Sequence, residues 1–197
     1  MSSTPANAVE RCLAAIELRE TDRPPIDLHN FQPAAVALGG SMKDVLQNGE
    51  LLAEAMIAAH REFGHDMILM ENGTACNAQA CGMEIVYRDD SAPAVHGRLV
   101  EEYADLDRLE VPDPNTTFPM NEILKAVRIA KKELGDAAWI CGRADQGPMD
   151  LAAQLRGIGE LMMDIATGEL DKEVDALLDY ARQVATRYAY ALMEAGA

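Results

Sequence analysis

The apolar positions along this chain change period several times, and the order of those changes predicts its elements. From about Asn7 to Glu20, Val9, Cys12, Leu13 and Ile16 recur at helical spacing, and Thr21-Asp-Arg-Pro-Pro25 ends the run because two prolines forbid its continuation. Ile26-Asp-Leu-His29 then reads as a short strand and Asn30 to Gly40 as a loop rich in small residues. Ser41 with Asp44 forms a variant of the capping box that starts a helix. After a break at Asn48-Gly49, Glu50 to Phe63 carries Leu51, Leu52, Ala55, Ile57, Ala58 and Ala59, with Gly64 as its C-cap. His65 to Met70 is an apolar strand of the kind covered on both faces in a parallel sheet, and its end delivers Glu71 and Asn72.

The second half repeats the alternation. Asn77 to Cys81 predicts a helical turn, and Gly82 to Tyr87 and Ala94 to Leu99 flank Arg88-Asp-Asp-Ser-Ala-Pro93 as a β-hairpin excursion. Residues 100 to 114 form an acidic connector, and Pro119 opens a helix with Ile123, Leu124, Val127 and Leu134 on one face and Gly135 as its cap. Ala137 to Ile140 is the next strand. It runs into Cys141-Gly-Arg-Ala-Asp-Gln-Gly-Pro148, a glycine-bracketed polar loop in front of a helix bearing Leu151, Leu155, Ile158, Leu161, Met162 and Ile165. Gly157 and Gly159 within that helix each cost about 1 kcal/mol relative to alanine, which predicts close packing or a kink there. A last helix spans Glu173 to Met193, with Gly196 as its cap.

Strand, polar loop and helix in this order are the parts of parallel βαβ units, whose ligands bind at the C-terminal ends of the strands. That places candidate binding side chains at His29, Glu71, Asn72, Arg143, Asp145 and Gln146. Glu71, at the end of an apolar strand, needs a cavity or a base, and Arg143 is one salt-bridge partner open to it. The plainer alternative pairs Arg143 with Asp145 and only fixes the loop.

Composition narrows the partners. The 197 residues, 49% hydrophobic and 25% charged, fit a single domain over 1–197 with a sizeable core. A net charge of −16 with no basic block argues against nucleic acid and against membrane surfaces. No apolar run approaches the roughly 18 residues of a membrane span, and Met1 to Glu10 lacks the pattern of a signal peptide, so a cytoplasmic location is expected. Cys12, Cys76, Cys81 and Cys141 make no CxxC pair and read as free thiols. Cys76, Cys81 and His65 lack a fourth ligand at zinc spacing, and Cys141 has no base beside it to make it a nucleophile. His60 and His96 read as surface or helix-face residues, and the methionines at 56, 67, 70, 83, 162 and 163 as core.

Several short motifs, in order, resemble the uroporphyrinogen decarboxylase superfamily. They are Asp22-Arg-Pro-Pro-Ile26, Asp66 followed sixteen positions later by Gly82-Met-Glu84, Gly142 to Leu151, Leu155-Arg-Gly157 with Glu160, and Leu177-Leu-Asp179 through Tyr188 to Ala195-Gly-Ala197. The resemblance implies an α/β fold, the N-terminal portion of a TIM (β/α)₈ barrel with a β-hairpin excursion after the second strand. Three alternations stand here where a closed barrel needs eight in about 250 residues, so the rest is expected from a second half of the barrel or another copy of the chain. This sequence departs from true decarboxylases, which carry an Arg-Gln-Ala-Gly-Arg loop where it has His29-Asn-Phe-Gln-Pro33. The decarboxylase aspartate falls near Gly73 and its tyrosine near Gln154.

The resemblance therefore points to the corrinoid-dependent methyltransferase branch. It implies methyl transfer between a corrinoid (cobalamin) protein and a small-molecule methyl acceptor such as a thiol or a folate, with His29, Asn30, Glu71, Asn72, Arg143, Asp145 and Gln146 lining the pocket. Cobalamin would sit on the partner protein, and zinc would come only through the missing half, so no metal ligand is assigned here. The alternatives are a decarboxylase of another carboxylic acid, with Arg143 holding its carboxylate, and a non-catalytic half-barrel subunit.

Overall fold

A computed structural model describes residues 7–29, 31–144 and 146–197, with side chains throughout except at 31, 32 and 37. Asn30 and Asp145, both expected at the site, lie outside the described residues. Helix α1 (Ala8–Ile16) starts under the side chain of Asn7, which accepts from the Glu10 N–H at 2.8 Å. It stops short of the predicted end at Glu20, because Leu18 takes φ +56° and turns the chain into the left-handed region. Strand β1 (Asp27–Leu28) follows. Where a loop was expected, helix α2 (Phe31–Ala37) forms: Pro33 falls in its first turn, where a missing N–H costs nothing, and Ala34 and Ala35 bury completely.

Helix α3 (Met42–Leu46) is capped as its sequence predicts, by Ser41 accepting from the Asp44 N–H, and α4 (Gly49–Phe63) starts at the expected break, where Asn48 serves as its cap by accepting from Glu50 and Leu51. Strand β2 (Met67–Met70), the short α5 (Cys76–Ala80) and the antiparallel hairpin of β3 (Glu84–Val86) and β4 (Ala94–His96) come next. The acidic connector holds a 3₁₀ turn at Tyr103–Arg108. Helix α6 (Met120–Leu134), strand β5 (Trp139–Gly142) and helices α7 (Pro148–Arg156), α8 (Ile158–Thr167) and α9 (Asp171–Ala195) complete the chain. The kink predicted near Gly157 is a full break between α7 and α8, made at φ +94°.

The three parallel strands lie in the order β1-β2-β5, with Asp27, Met67 and Trp139 in register, then Leu28, Ile68 and Ile140. Alternation sends Ile68, Met70 and Ile140 into the core beneath α4, α6 and α9. Met67, Leu69, Trp139 and Cys141 on the opposite face are only half-buried, and Asp27 is exposed. Within the described residues the expectation that β2 is covered on both faces holds for one of them: on the second face α1 packs beside β5 and leaves Met67 and Leu69 half-buried. Met162 and Met163 on α8 are likewise 44% and 63% exposed and not core.

One carboxylate gathers the N-terminal ends of all three strands. Asp66, 2% exposed, accepts from Arg11 Nη1 at 2.6 Å, from Arg23 Nη2 at 2.9 Å, and from the Ile26 N–H at 2.9 Å. Its own N–H donates to Ile26 O and its carbonyl accepts from the Trp139 N–H, both at 2.8 Å. Burial pushes its pKa up, but Arg23, the Ile26 N–H and Arg11 outweigh burial and hold it below the ordinary carboxylate value.

Because the folded value is the lower one, this stabilisation is complete above a pH of about 4 and is lost as pH falls through the folded pKa. Asp66→Asn is expected to lose about 3 kcal/mol, the usual scale for breaking a buried ion pair. Urea unfolding at several pH values checks it, since the acid-side loss of stability should be steeper in the parent than in the variant.

Candidate functional site

The C-terminal ends of the same three strands carry His29, Glu71 and Arg143. Met70 lies opposite Gly142, so Glu71 and Arg143 face each other one residue further on, and the Arg143 N–H keeps that register by donating to Met70 O at 3.3 Å. Arg143 Nη1 donates to Glu71 Oε2, and His29 Nε2 meets Glu71 Oε1. Glu71 is 3% exposed, and a buried carboxylate is tolerated only when paired, so the guanidinium of Arg143 is the condition for its charge. A neutral His29 paired in this way carries its proton on Nε2. The result is an imidazole at the solvent edge, held by a buried anion that also holds a cation.

The other expected residues lie differently. Asn72 is buried and turns to α3, where its Nδ2 donates to Leu46 O at 3.4 Å. Gln146 is exposed on the loop after β5. Cys141 is half-buried beside the row, and burial, with help from Asp27 and Glu71, pushes its thiol pKa up, so it stays a thiol at neutral pH. Among the described residues no group of three His, Cys, Asp or Glu side chains is disposed to hold a metal ion.

Sequence reasoning passed over Asp150 and the link it makes. Gln154, one helical turn later on α7, donates through Nε2 both to the Asp150 carboxylate and to Thr74 O, the latter at 2.9 Å. This ties the helix after β5 to the loop after β2. The i, i+4 spacing of the two residues was a usable signal, but the backbone carbonyl that completes the link leaves none. Burial pushes the Asp150 pKa up, against Gln154 and the positive charge of Arg143. In the same loop, Gly73 sits at φ +99° with Pro93 Cδ 3.1 Å from where a Cβ would stand. The hairpin therefore presses on the position at which the resemblance would place a carboxylate, and an L side chain there would be strained.

A parallel sheet whose strand ends gather a histidine, a glutamate and an arginine defines an α/β protein of the kind whose ligands bind at that edge. The chain belongs to the uroporphyrinogen decarboxylase (URO-D) family, whose sequence pattern matches residues 7–197. The uroporphyrinogen decarboxylase of Anaeromyxobacter dehalogenans (strain 2CP-C) is 28% identical over 155 residues, which is 73% of this chain and 44% of that protein. The uroporphyrinogen decarboxylase of Anaeromyxobacter sp. (strain Fw109-5) is 26% identical over the same shares. The chain thus spans less than half the length of these curated relatives. Among solved structures, a methyltransferase from Methanosarcina mazei superposes with a TM-score of 0.85 at 24% identity, covering 97% of this chain and 57% of that one, which is a likeness of fold. No helix among the described residues is long and apolar enough to cross a membrane.

Removing Arg143 alone leaves Glu71 buried and uncompensated, so Arg143→Met is expected to cost about 3 kcal/mol of stability. Adding Glu71→Leu to it should restore most of that loss. Urea midpoints of the single and double variants form the cycle that measures the coupling.

Proposed function

We propose that this chain contributes the first strands of a (β/α)₈ barrel that moves a methyl group between a corrinoid on a partner protein and a small acceptor such as a thiol or a folate. The observation that carries this reading is the closure of Arg143 onto Glu71. A porphyrinogen's carboxylates need uncommitted guanidinium groups, and that of Arg143 is already neutralised by a buried partner. Gly73 and Gln154, where the decarboxylase carboxylate and tyrosine would fall, remove the groups that would stabilise a protonated pyrrole. The fold shared with the M. mazei methyltransferase is consistent with this branch of the family.

In this reading the remaining strands are supplied from beyond these residues, by a second half of the barrel or another copy, and close over the half-buried face of the sheet. The cobalt of the partner's corrinoid supplies the site that carries the methyl group. His29, Glu71 and Arg143 orient the acceptor at the strand ends, Asn72 and Gln146 shape the loops around it, and Asn30 and Asp145 belong to the same proposed lining. In this reading no zinc ligand is assigned to this chain, and zinc would come only through the second half of the barrel.

A second reading, decarboxylation of a smaller acid, is favoured by the names of the curated relatives. It requires Arg143 to leave Glu71 in order to grip a substrate carboxylate. Absorbance of methylcobalamin, followed while thiols and folates are added to the protein as purified and with its corrinoid partner, tests the two. Demethylation is expected, slowed about a hundredfold by Arg143→Ala through loss of positioning. Release of carbon dioxide from added carboxylic acids, without demethylation, would overturn the methyl-transfer reading.

A further inference from the structure

The link between α4 and β2 buries a titratable pair that the strand-end site does not use. His65, 2% exposed, packs against the ring of His60 in the last turn of α4, with centroids 5.2 Å apart and planes at 85°. Neither ring nitrogen of His65 has a hydrogen-bond partner among the described residues, nor has Nδ1 of His60. Buried polar atoms are as a rule satisfied, so three orphans in one contact call for an explanation. Gly64 joins the two elements as the left-handed cap of α4, at φ +64°, with open space where a Cβ would stand. His65 in turn leads directly into Asp66, which gathers the N-terminal ends of the strands.

A neutral imidazole can lie edge-on to a ring in such a place, and an imidazolium cannot. Protonation would make both nitrogens of His65 donors with no acceptor in reach, and would put a full charge where water does not follow. The groups that act on it give little relief. From α4 comes His60, which repels once it is charged itself. From its own segment comes Asp66, one negative charge already shared between the guanidinium groups of Arg11 on α1 and Arg23 on the proline-rich turn. Arg61 and Glu133, which join the ends of α4 and α6, are exposed and closed on each other. Burial first and His60 second push the His65 pKa down, and Asp66 opposes them only in part. His65 is already buried by the described residues, so its state does not wait on any further layer of the fold.

We propose that His60 and His65 form an acid-sensitive latch: neutral, they hold the start of β2 against the end of α4, and protonation of His65 swings it into water about Gly64, loosening the joint that Asp66 makes with Ile26 and Trp139. The latch lies at the end of the sheet away from the His29, Glu71 and Arg143 row and operates whatever chemistry that row performs. Because the closed state binds the proton less well than the open one, the latch is fully held above a pH of about 6.5 and is released as pH falls below it. That window lies above the one, near pH 4 and lower, in which Asp66 itself titrates.

Amide hydrogen exchange of the protein as purified, corrected for the intrinsic pH dependence of exchange, reads the joint at the Asp66 and Trp139 N–H groups, which donate to Ile26 O and Asp66 O. Their opening constants should rise severalfold, up to about tenfold, between pH 7.5 and 5.5, while amides in the middle of α6 keep theirs. The His65 ring resonances should titrate below about 6.5. His65→Phe keeps a ring without the proton site and should flatten the rise. A His65 ring that titrates at about 6.5 or above, opening constants level over this range, a rise shared by the middle of α6, or a rise that persists in folded His65→Phe would each overturn the inference. If that variant does not fold, ring titration and exchange in the parent decide between the same outcomes.

Discussion

The architecture turns on Asp66. Its backbone joins the residue before β1 to the first residue of β5, while its carboxylate draws in Arg11 from α1 and Arg23 from the proline-rich turn. A buried carboxylate has a large desolvation penalty, so two guanidinium groups and the Ile26 N–H must all reach it together. That requirement fixes where α1 crosses the sheet and where β1 begins, and through them the register that aligns His29, Glu71 and Arg143 at the far end. Asp22 completes the arrangement by holding Arg11, and Arg11 in turn brings the Asp22 carboxyl down to a pKa of about 2.

The two ends of the sheet use ionic groups differently. At the N-terminal end the charges are closed on one another and serve to bring segments together. At the C-terminal end Glu71 is closed on the protein side, but its partner His29 remains more than half exposed at the solvent edge. Between the two ends lies a face of Met67, Leu69, Trp139 and Cys141 that the helices leave half-buried. The apolar side chains of that face and the free edges of β1 and β5 are what a further layer of the fold would cover.

Much of this could be read from the sequence. The C-terminal ends of α4 and α6 followed from glycine caps whose chemistry is local, and pairing of Glu71 with Arg143 was one of two pairings that two charged residues just beyond apolar strands left open, the other being Arg143 with Asp145. Helix α2 was hidden because Pro33 and a run of small residues look like a loop until tertiary burial of Ala34 and Ala35 is known. The half-buried face of β2 was hidden because Met67 and Leu69 are as apolar as the buried Ile68 and Met70, and hydropathy alone does not tell a covered face from a half-covered one. The bridge from Asp150 through Gln154 to Thr74 O joins segments 80 residues apart and ends on a main-chain atom, which no pattern of side chains encodes.

The placement of α9 bears on how the chain assembles. This helix packs on α6, α7 and β5, burying Leu177, Val184, Tyr188 and Leu192, so the covered face of the sheet is sealed by a helix that follows all three of its strands in the sequence. During synthesis, β1 and β2 can pair long before β5 emerges, and all three then wait for the closing helix with Ile140 and neighbouring helix faces in water. Such late, sequence-distant closure slows folding and leaves a sticky intermediate. A nascent chain at that stage exposes the kind of apolar surface that chaperones shield, until α9 docks.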